Sequence, residues 1–175
     1  MHEDNLVILF CDIHHFAMLQ ASMGLEEQGS LIQEIYEVLG ECVVTEGGTI
    51  IKYMGDSLMA TFQEGAEVSA VSCALAMRRA FADLLARRRI SMDTELETAV
   101  GSGPVVRGVF GHRSLRAPDV FGEAVNRTAI LTHYRGTAVT EEVAKAVSAR
   151  FRTEALPDFQ LKWTPLPLKA WRVIG

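Results

Sequence analysis

The stretch Gly47-Gly48-Thr49-Ile50-Ile51-Lys52-Tyr53-Met54-Gly55-Asp56-Ser57-Leu58-Met59-Ala60-Thr61-Phe62 decides how the chain is read. Two short runs rich in β-branched and aromatic residues flank Met54-Gly55-Asp56-Ser57, which predicts a strand, a tight Gly-Asp turn and a returning strand. The strands are apolar and the turn is polar. A carboxylate, Asp56, therefore stands at a hairpin tip with the Ser57 hydroxyl after it, a placement that suits a metal ion or a phosphate at a sheet edge. Asp after Gly is also ordinary turn chemistry. The hairpin acquires chemical meaning only when a second carboxylate reaches the same place.

Upstream, Asn5 to Cys11 is a continuous apolar run ended by Asp12, the pattern of a strand buried on both faces. Asp12 precedes apolar positions at helical spacing through Leu19, so it is either a second site carboxylate or the N-cap of that helix. The adjacent His14 and His15 point about 100° apart on a helix and make a poor chelating pair; they read as surface or turn residues. A long helix follows from about Leu25 to Glu46, with Leu31, Ile32, Ile35, Leu39, Cys42 and Val43 inward. Gly47-Gly48 stops it.

Downstream, Ala66 to Arg88 reads as a third amphipathic helix, with Arg87-Arg88-Arg89 at its negative pole. Glu95 to Gly101 alternates as a half-exposed strand, and Ser102-Gly103-Pro104 is expected to turn it into a second hairpin with Val105 to Gly111. Arg113 to Pro118 reads as irregular, Glu123 to Tyr134 as a helix, and Thr137 to Thr140 as a short strand. A small helix near Glu141 to Val147 and closing strands near Phe151 and Leu168 to Ile174 complete the chain, with Pro157, Pro165 and Pro167 confining that last part to loops and an edge. This order places helices on one side of an antiparallel-rich sheet. It predicts an α+β fold with a ferredoxin-like core, in which the first strand lies beside the hairpin and Asp12 can meet Asp56. Two such carboxylates, with the backbone carbonyl of Ile13, suit hard divalent cations, and paired cations serve in-line phosphoryl or nucleotidyl transfer.

The chain has 175 residues, 49% hydrophobic and 22% charged, with net charge −5 from 17 Lys and Arg against 22 Asp and Glu. One domain spanning 1–175 is expected at this size. The acidic balance gives no basic surface for nucleic acid or an anionic membrane, and it fits a nucleotide carried with divalent cations. Cys11, Cys42 and Cys73 are odd in number and sit in apolar runs, as small core residues of a reducing compartment do. No apolar run is long enough to span a bilayer and no signal peptide is evident. The expected location is the cytoplasm, and the expected role is that of a module linked to a regulatory domain in a longer protein.

Three strings, Phe10-Cys11-Asp12-Ile13-His14-His15-Phe16, Lys52 to Ala60, and Asp119-Val120-Phe121-Gly122-Glu123-Ala124-Val125-Asn126, together resemble the signature segments of the class III nucleotidyl cyclase catalytic domain. The resemblance covers nearly the whole chain in the right order. It implies a head-to-tail homodimer with two active sites, each shared between chains. Asp12, Asp56 and the Ile13 carbonyl of one chain would hold two Mg²⁺ or Mn²⁺ ions. Lys52 and Asp119 of the other would read the base, Asn126 would hold the ribose, and Ile13 and Phe16 are also expected to bind substrate. The implied chemistry is attack of the ribose 3′-hydroxyl on the α-phosphate, releasing pyrophosphate.

The base follows from hydrogen-bond chemistry. A Lys ammonium only donates and an Asp carboxylate only accepts, which matches N1 and the N6 amine of adenine and mismatches O6 and N1–H of guanine. ATP is the expected substrate, and adenylate cyclase the expected activity. Two positions depart from the family pattern. Ile130 stands where an Arg four residues after the Asn neutralises the transition state, with Arg127 three residues away as a substitute or a solvated residue. His15 stands where a Gly turn runs under the triphosphate, and Lys162, Lys169 and Arg172 are candidates for the remaining triphosphate contact. These departures leave an alternative, a degenerate cyclase-homology domain that binds nucleotide or dimerises as a regulatory module. Diguanylate cyclases and polymerase palms share the core and the carboxylates, but the Gly-Gly-acidic-Glu-Phe signature of the former is missing here.

Overall fold

A computed structural model describes residues 1–161 and 167–174 of the chain. The opening stretch forms the predicted hairpin, β2 (Thr49–Met54) and β3 (Ser57–Gln63), closed through Gly55 and Asp56. Gly55 has φ +69° at the first central position, where a residue without Cβ is needed. The strand β1 (His2–Ile13) lies antiparallel to β3 on one side and to β4 (Leu96–His112) on the other. The order β2-β3-β1-β4 is the ferredoxin-like core. Beyond β4 the sheet continues with β6 (Thr137–Thr140), parallel to it, then β8 (Ala170–Ile174) and β7 (Arg152–Ala155). A fifth strand in chain order, β5 (Leu115–Phe121), pairs with the far half of β4, making eight strands among the described residues.

Alternation along β1 explains the layers. Val7, Leu9, Cys11 and Ile13 face α2 (Leu25–Thr45) and α3 (Glu67–Arg87), the two crossover helices. Leu6, Ile8 and Phe10 face the other way, against Met59, Val105, Val120 and Val125. An unbroken apolar run is what a strand covered on both faces requires. Gly47 and Gly48 end α2 as expected, and a Cβ on Gly48 would lie 2.6 Å from the Phe62 ring, so the close approach of helix end to hairpin depends on that glycine. Arg88, at the end of α3, hydrogen-bonds Glu34 and Ser30 of α2, a tie between helices rather than a free cation patch.

Several expectations need correction. There is no turn at Ser102-Gly103-Pro104: β4 runs through as one strand of 17 residues. Pro104 falls between the part of β4 that pairs with β6 and the part that pairs with β5, where a missing N–H breaks no ladder on that edge. The second hairpin turns instead at Arg113-Ser114, and the segment read as irregular is β5. Helices also do not keep to one side, because α4 (Glu123–Ile130) packs on the face opposite α2 and α3. With α4 and the short 3₁₀ turn Leu131–His133 above it, the strand expected to be half-exposed is buried from Leu96 to Gly101. Asp12 is no helix cap, since β1 continues to Ile13 and His15 caps α1 (Phe16–Ala21). The remaining helix, α5 (Glu141–Ala146), lies where it was expected. Lys162 and Pro165 lie outside the described residues.

Candidate active site

The face carrying α4 holds a cavity of about 350 Å³, walled by Phe10, Asp12, Lys52, Ser57, Phe121 and Asn126 among others. Each reaches it for a local reason. Asp12 follows Leu6, Ile8 and Phe10 in the even-numbered register of β1. Asn126 projects from the first turns of α4. Ser57 begins β3, and its hydroxyl donates to Asp12 Oδ1 at 2.5 Å.

Lys52 arrives there through a β-bulge. Ile50 pairs with Ala60, but Lys52 pairs with Met59, so the register shifts between them. In regular alternation Ile50 and Lys52 would share the helix-covered face. The extra residue, Ile51, turns Lys52 to the cavity side instead. There the Lys52 ammonium donates to both Asp119 oxygens at 2.8 Å. Asp119 Oδ1 also accepts from the Val120 N–H at 2.8 Å, which fixes the carboxylate. The ammonium lies 5.6 Å from the centre of the Phe121 ring, itself met edge-on by Phe110. Nothing in simple strand periodicity signals the bulge.

Asp56 is half-buried on the turn and does not line the cavity wall. Its carboxyl is nonetheless raised above the usual range, first by burial and then by the charge of Asp12, so the two carboxylates are electrostatic neighbours. The turn is braced from α2: Tyr36 Oη donates to the Gly55 carbonyl at 2.6 Å, Tyr53 Oη donates to the Tyr36 carbonyl at 3.3 Å, and the two rings stack at 4.1 Å. This clamp escaped sequence reading because it joins residues of a helix and a strand through their rings. Glu97, expected on an exposed strand face, is instead buried opposite Asp12 and ion-paired to His14 at 3.3 Å. Burial raises its carboxyl, opposed by His14.

Other sequence candidates lie elsewhere. The side chains of Ile13 and Phe16 are buried in the helix-side core, so what they can offer a substrate is backbone. Burial pushes the Cys11 thiol up to about 12, which keeps it from acting as a thiolate ligand. His15 is a turn residue in the left-handed region, φ +61°, its Nδ1 3.2 Å from the Asp93 carbonyl. Ile130 is partly buried against the apolar cluster that includes Leu131, Ala138 and Leu168, rather than lining the cavity. Arg127 and Lys169 act electrostatically on Glu141, at the start of α5, and Arg172 is exposed on β8. Among the described residues, Lys52 is the one cation in the cavity wall.

A larger hollow, about 410 Å³, lies along the same face past Asp119, lined by His2, Thr49, Thr61 and Arg107. Asp119 stands in the wall of this hollow and Lys52 and Asp12 in that of the smaller cavity, so the Lys52–Asp119 ion pair joins the two.

Over residues 1–173 the chain matches the adenylate and guanylate cyclase catalytic domain. It belongs to that family. An adenylate cyclase of Anabaena cylindrica is 31% identical over 156 residues, 82% of this chain and 31% of that protein. Adenylate cyclase 1 of Rhizobium meliloti is 27% identical over 125 residues, 67% of this chain and 19% of that protein. The chain thus spans about a third or less of these relatives. Among solved structures, the adenylyl cyclase CyaB from P. aeruginosa superimposes with a TM-score of 0.94 at 21% identity, covering 99% of this chain and 95% of that one. The guanylyl cyclase Cya2 superimposes with a TM-score of 0.91 at 22% identity, covering 99% and 93%. These two likenesses establish the cyclase-domain fold.

No helix among the described residues is long and apolar enough to cross a membrane.

Proposed function

We propose that this cyclase domain converts ATP to 3′,5′-cyclic AMP and pyrophosphate, in a homodimer whose two active sites are each built from both chains. The observation that carries the reading is the Lys52–Asp119 pair, 67 positions apart in sequence, whose Lys52 stands in the wall of the cavity that also presents Asp12 and Asn126, while Asp119 lines the adjoining hollow. A donor-only and an acceptor-only group side by side match the N1 and N6 edge of adenine. Guanine would set O6 against the carboxylate and N1–H against the ammonium, leaving buried groups unpaired. Relatives named adenylate cyclase support the same substrate.

The donor set fits divalent cations. No group of three or more His, Cys, Asp or Glu able to hold a metal occurs among the described residues. Mg²⁺ is commonly held by one or two carboxylates with substrate phosphates completing the shell, and Asp12, Asp56 and the Ile13 carbonyl supply that partial set. Two Mg²⁺ or Mn²⁺ ions, when bound, would acidify the 3′-hydroxyl and stabilise charge on the phosphate oxygens. For the chain's own part, Asn126 would orient the ribose, and Lys52 and Asp119 would fix the base so that the 3′-hydroxyl faces the α-phosphate.

A second copy is supported by the rim. Val109 is 62%, Leu115 77% and Phe121 49% exposed, an apolar fringe along β4 and β5. The cavity of one chain is also at the small end of ligand pockets, roughly 300–1,000 Å³. Three free cysteines, none exposed, suit a reducing compartment such as the cytoplasm.

One observation favours a second reading. Among the described residues Lys52 is the one cation in the wall, and Ile130, partly buried against a neighbouring apolar cluster, stands where the family resemblance implies an arginine. A domain that binds nucleotide without turning it over would look the same. Product analysis by mass from equimolar ATP and GTP with Mn²⁺, with Asp56→Ala as control, tests the proposal: cyclic AMP absent from the control supports it. ATP bound but unchanged supports the second reading.

A further inference from the structure

Ser57 is the hydroxyl that follows Asp56 at the hairpin tip, and the cyclase resemblance assigns it no role. It is the first residue of β3, paired across the turn with Met54, and it lines the cavity together with Asp12. Its hydroxyl donates to Asp12 Oδ1 at 2.5 Å, the short separation of an O–H donor on an ionised acceptor. Asp12 and Ser57 stand one step beyond Cys11–Leu58, the last pair of the β1–β3 ladder, with Asp12 also opposite Glu97 on β4 and Ser57 opposite Met54 on β2. The hydrogen bond is therefore a strut that continues this ladder through side chains, from the strand end to the hairpin.

A hydroxyl has one proton to give, and here it goes to Oδ1. Oδ2 is left as the oxygen that this hydroxyl does not hold. Without the strut, Asp12 has freedom of rotation about its side-chain bonds.

We infer that Ser57 is a positioning residue of the cation site: its hydroxyl locks the rotamer of Asp12 so that the second oxygen is presented, together with Asp56, to a divalent ion. This rests on the proposed cation role of Asp12 and Asp56. Partners that orient a metal-binding side chain typically account for about 10–100-fold in metal affinity.

The test compares Ser57→Thr with Ser57→Val, two β-branched side chains of the same shape of which only the first carries a hydroxyl. Mn²⁺ binding is followed by electron paramagnetic resonance in the presence of 3′-deoxy-ATP, which has no attacking hydroxyl. The Thr variant should bind Mn²⁺ like the wild type, and the Val variant about 10–100-fold more weakly, with the two melting at the same temperature. Equal binding by both, or tighter binding by the Val variant, overturns the inference while leaving the cation site standing. If the wild type takes up no more Mn²⁺ than Asp12→Asn, the cation site itself fails and the inference with it. Should the Val variant fold poorly, Ser57→Ala removes the hydroxyl without added bulk and is read by the same criteria.

Discussion

Asp119 and Lys52 satisfy each other in the free chain, so a base read by them, as proposed, would take up both groups as it enters. Asp119→Asn keeps the size of the side chain but adds a donor where only acceptance fits adenine. Hydrogen bonds to charged groups contribute about 1.5–3 kcal/mol, so the ratio of kcat/KM for ATP over GTP should fall by about 10- to 150-fold, measured with both nucleotides in competition. Asp56 offers a prediction of opposite sign for stability. Burial and the Asp12 charge disfavour its ionised form, so the group lowers stability above its folded value and ceases to do so below the ordinary value of 3.8. Asp56→Asn should therefore melt higher than the wild type at pH 7, with the gap closing as the pH falls toward 3.8, while cyclic AMP formation is lost. Ile130→Arg tests the missing cation. Arginines aimed at transferring phosphoryl groups supply about 10³–10⁵ in rate elsewhere, and any substantial fraction of that gain marks a weakened enzyme rather than a binding module.

At the scale of elements, the hairpin holds its shape through the Tyr36–Tyr53 clamp as well as its own ladder. Tyr36→Phe keeps the stack and loses the bond to Gly55, about 1 kcal/mol, which corresponds to roughly 2–4 °C in Tm for a chain of this size. The Mn²⁺ concentration needed for half-maximal rate should rise as the turn loosens. What was legible in the sequence follows the same division. The hairpin, β1 and the long helices were readable because their apolar periods match their burial, and the strand order that was read with them puts Asp12 and Asp56 within electrostatic reach of each other. The β4–β5 hairpin was missed because Gly103-Pro104 is local turn chemistry, overridden by continuous pairing with β1 from Leu96 to Arg107. Burial of Glu97 was missed because alternation reports one covered face, and α4 covers the other. The Lys52 bulge leaves no mark in composition at all.

For the whole molecule, the fold shows which groups share a face but one chain leaves the apolar fringe of β4 and β5 uncovered. If two copies build each site, specific activity should rise with protein concentration and level off as dimer saturates, measured alongside sedimentation. The central claim is that carboxylates of one chain act with base-reading groups of the other. Its most direct test is complementation: Asp56→Ala and Lys52→Ala chains are assayed for cyclic AMP alone and after co-expression. Each variant alone should be inactive. Random pairing in a symmetric dimer leaves one intact site in half the dimers, so the mixture should recover about a quarter of wild-type activity. A mixture as inactive as its parts would contradict the account.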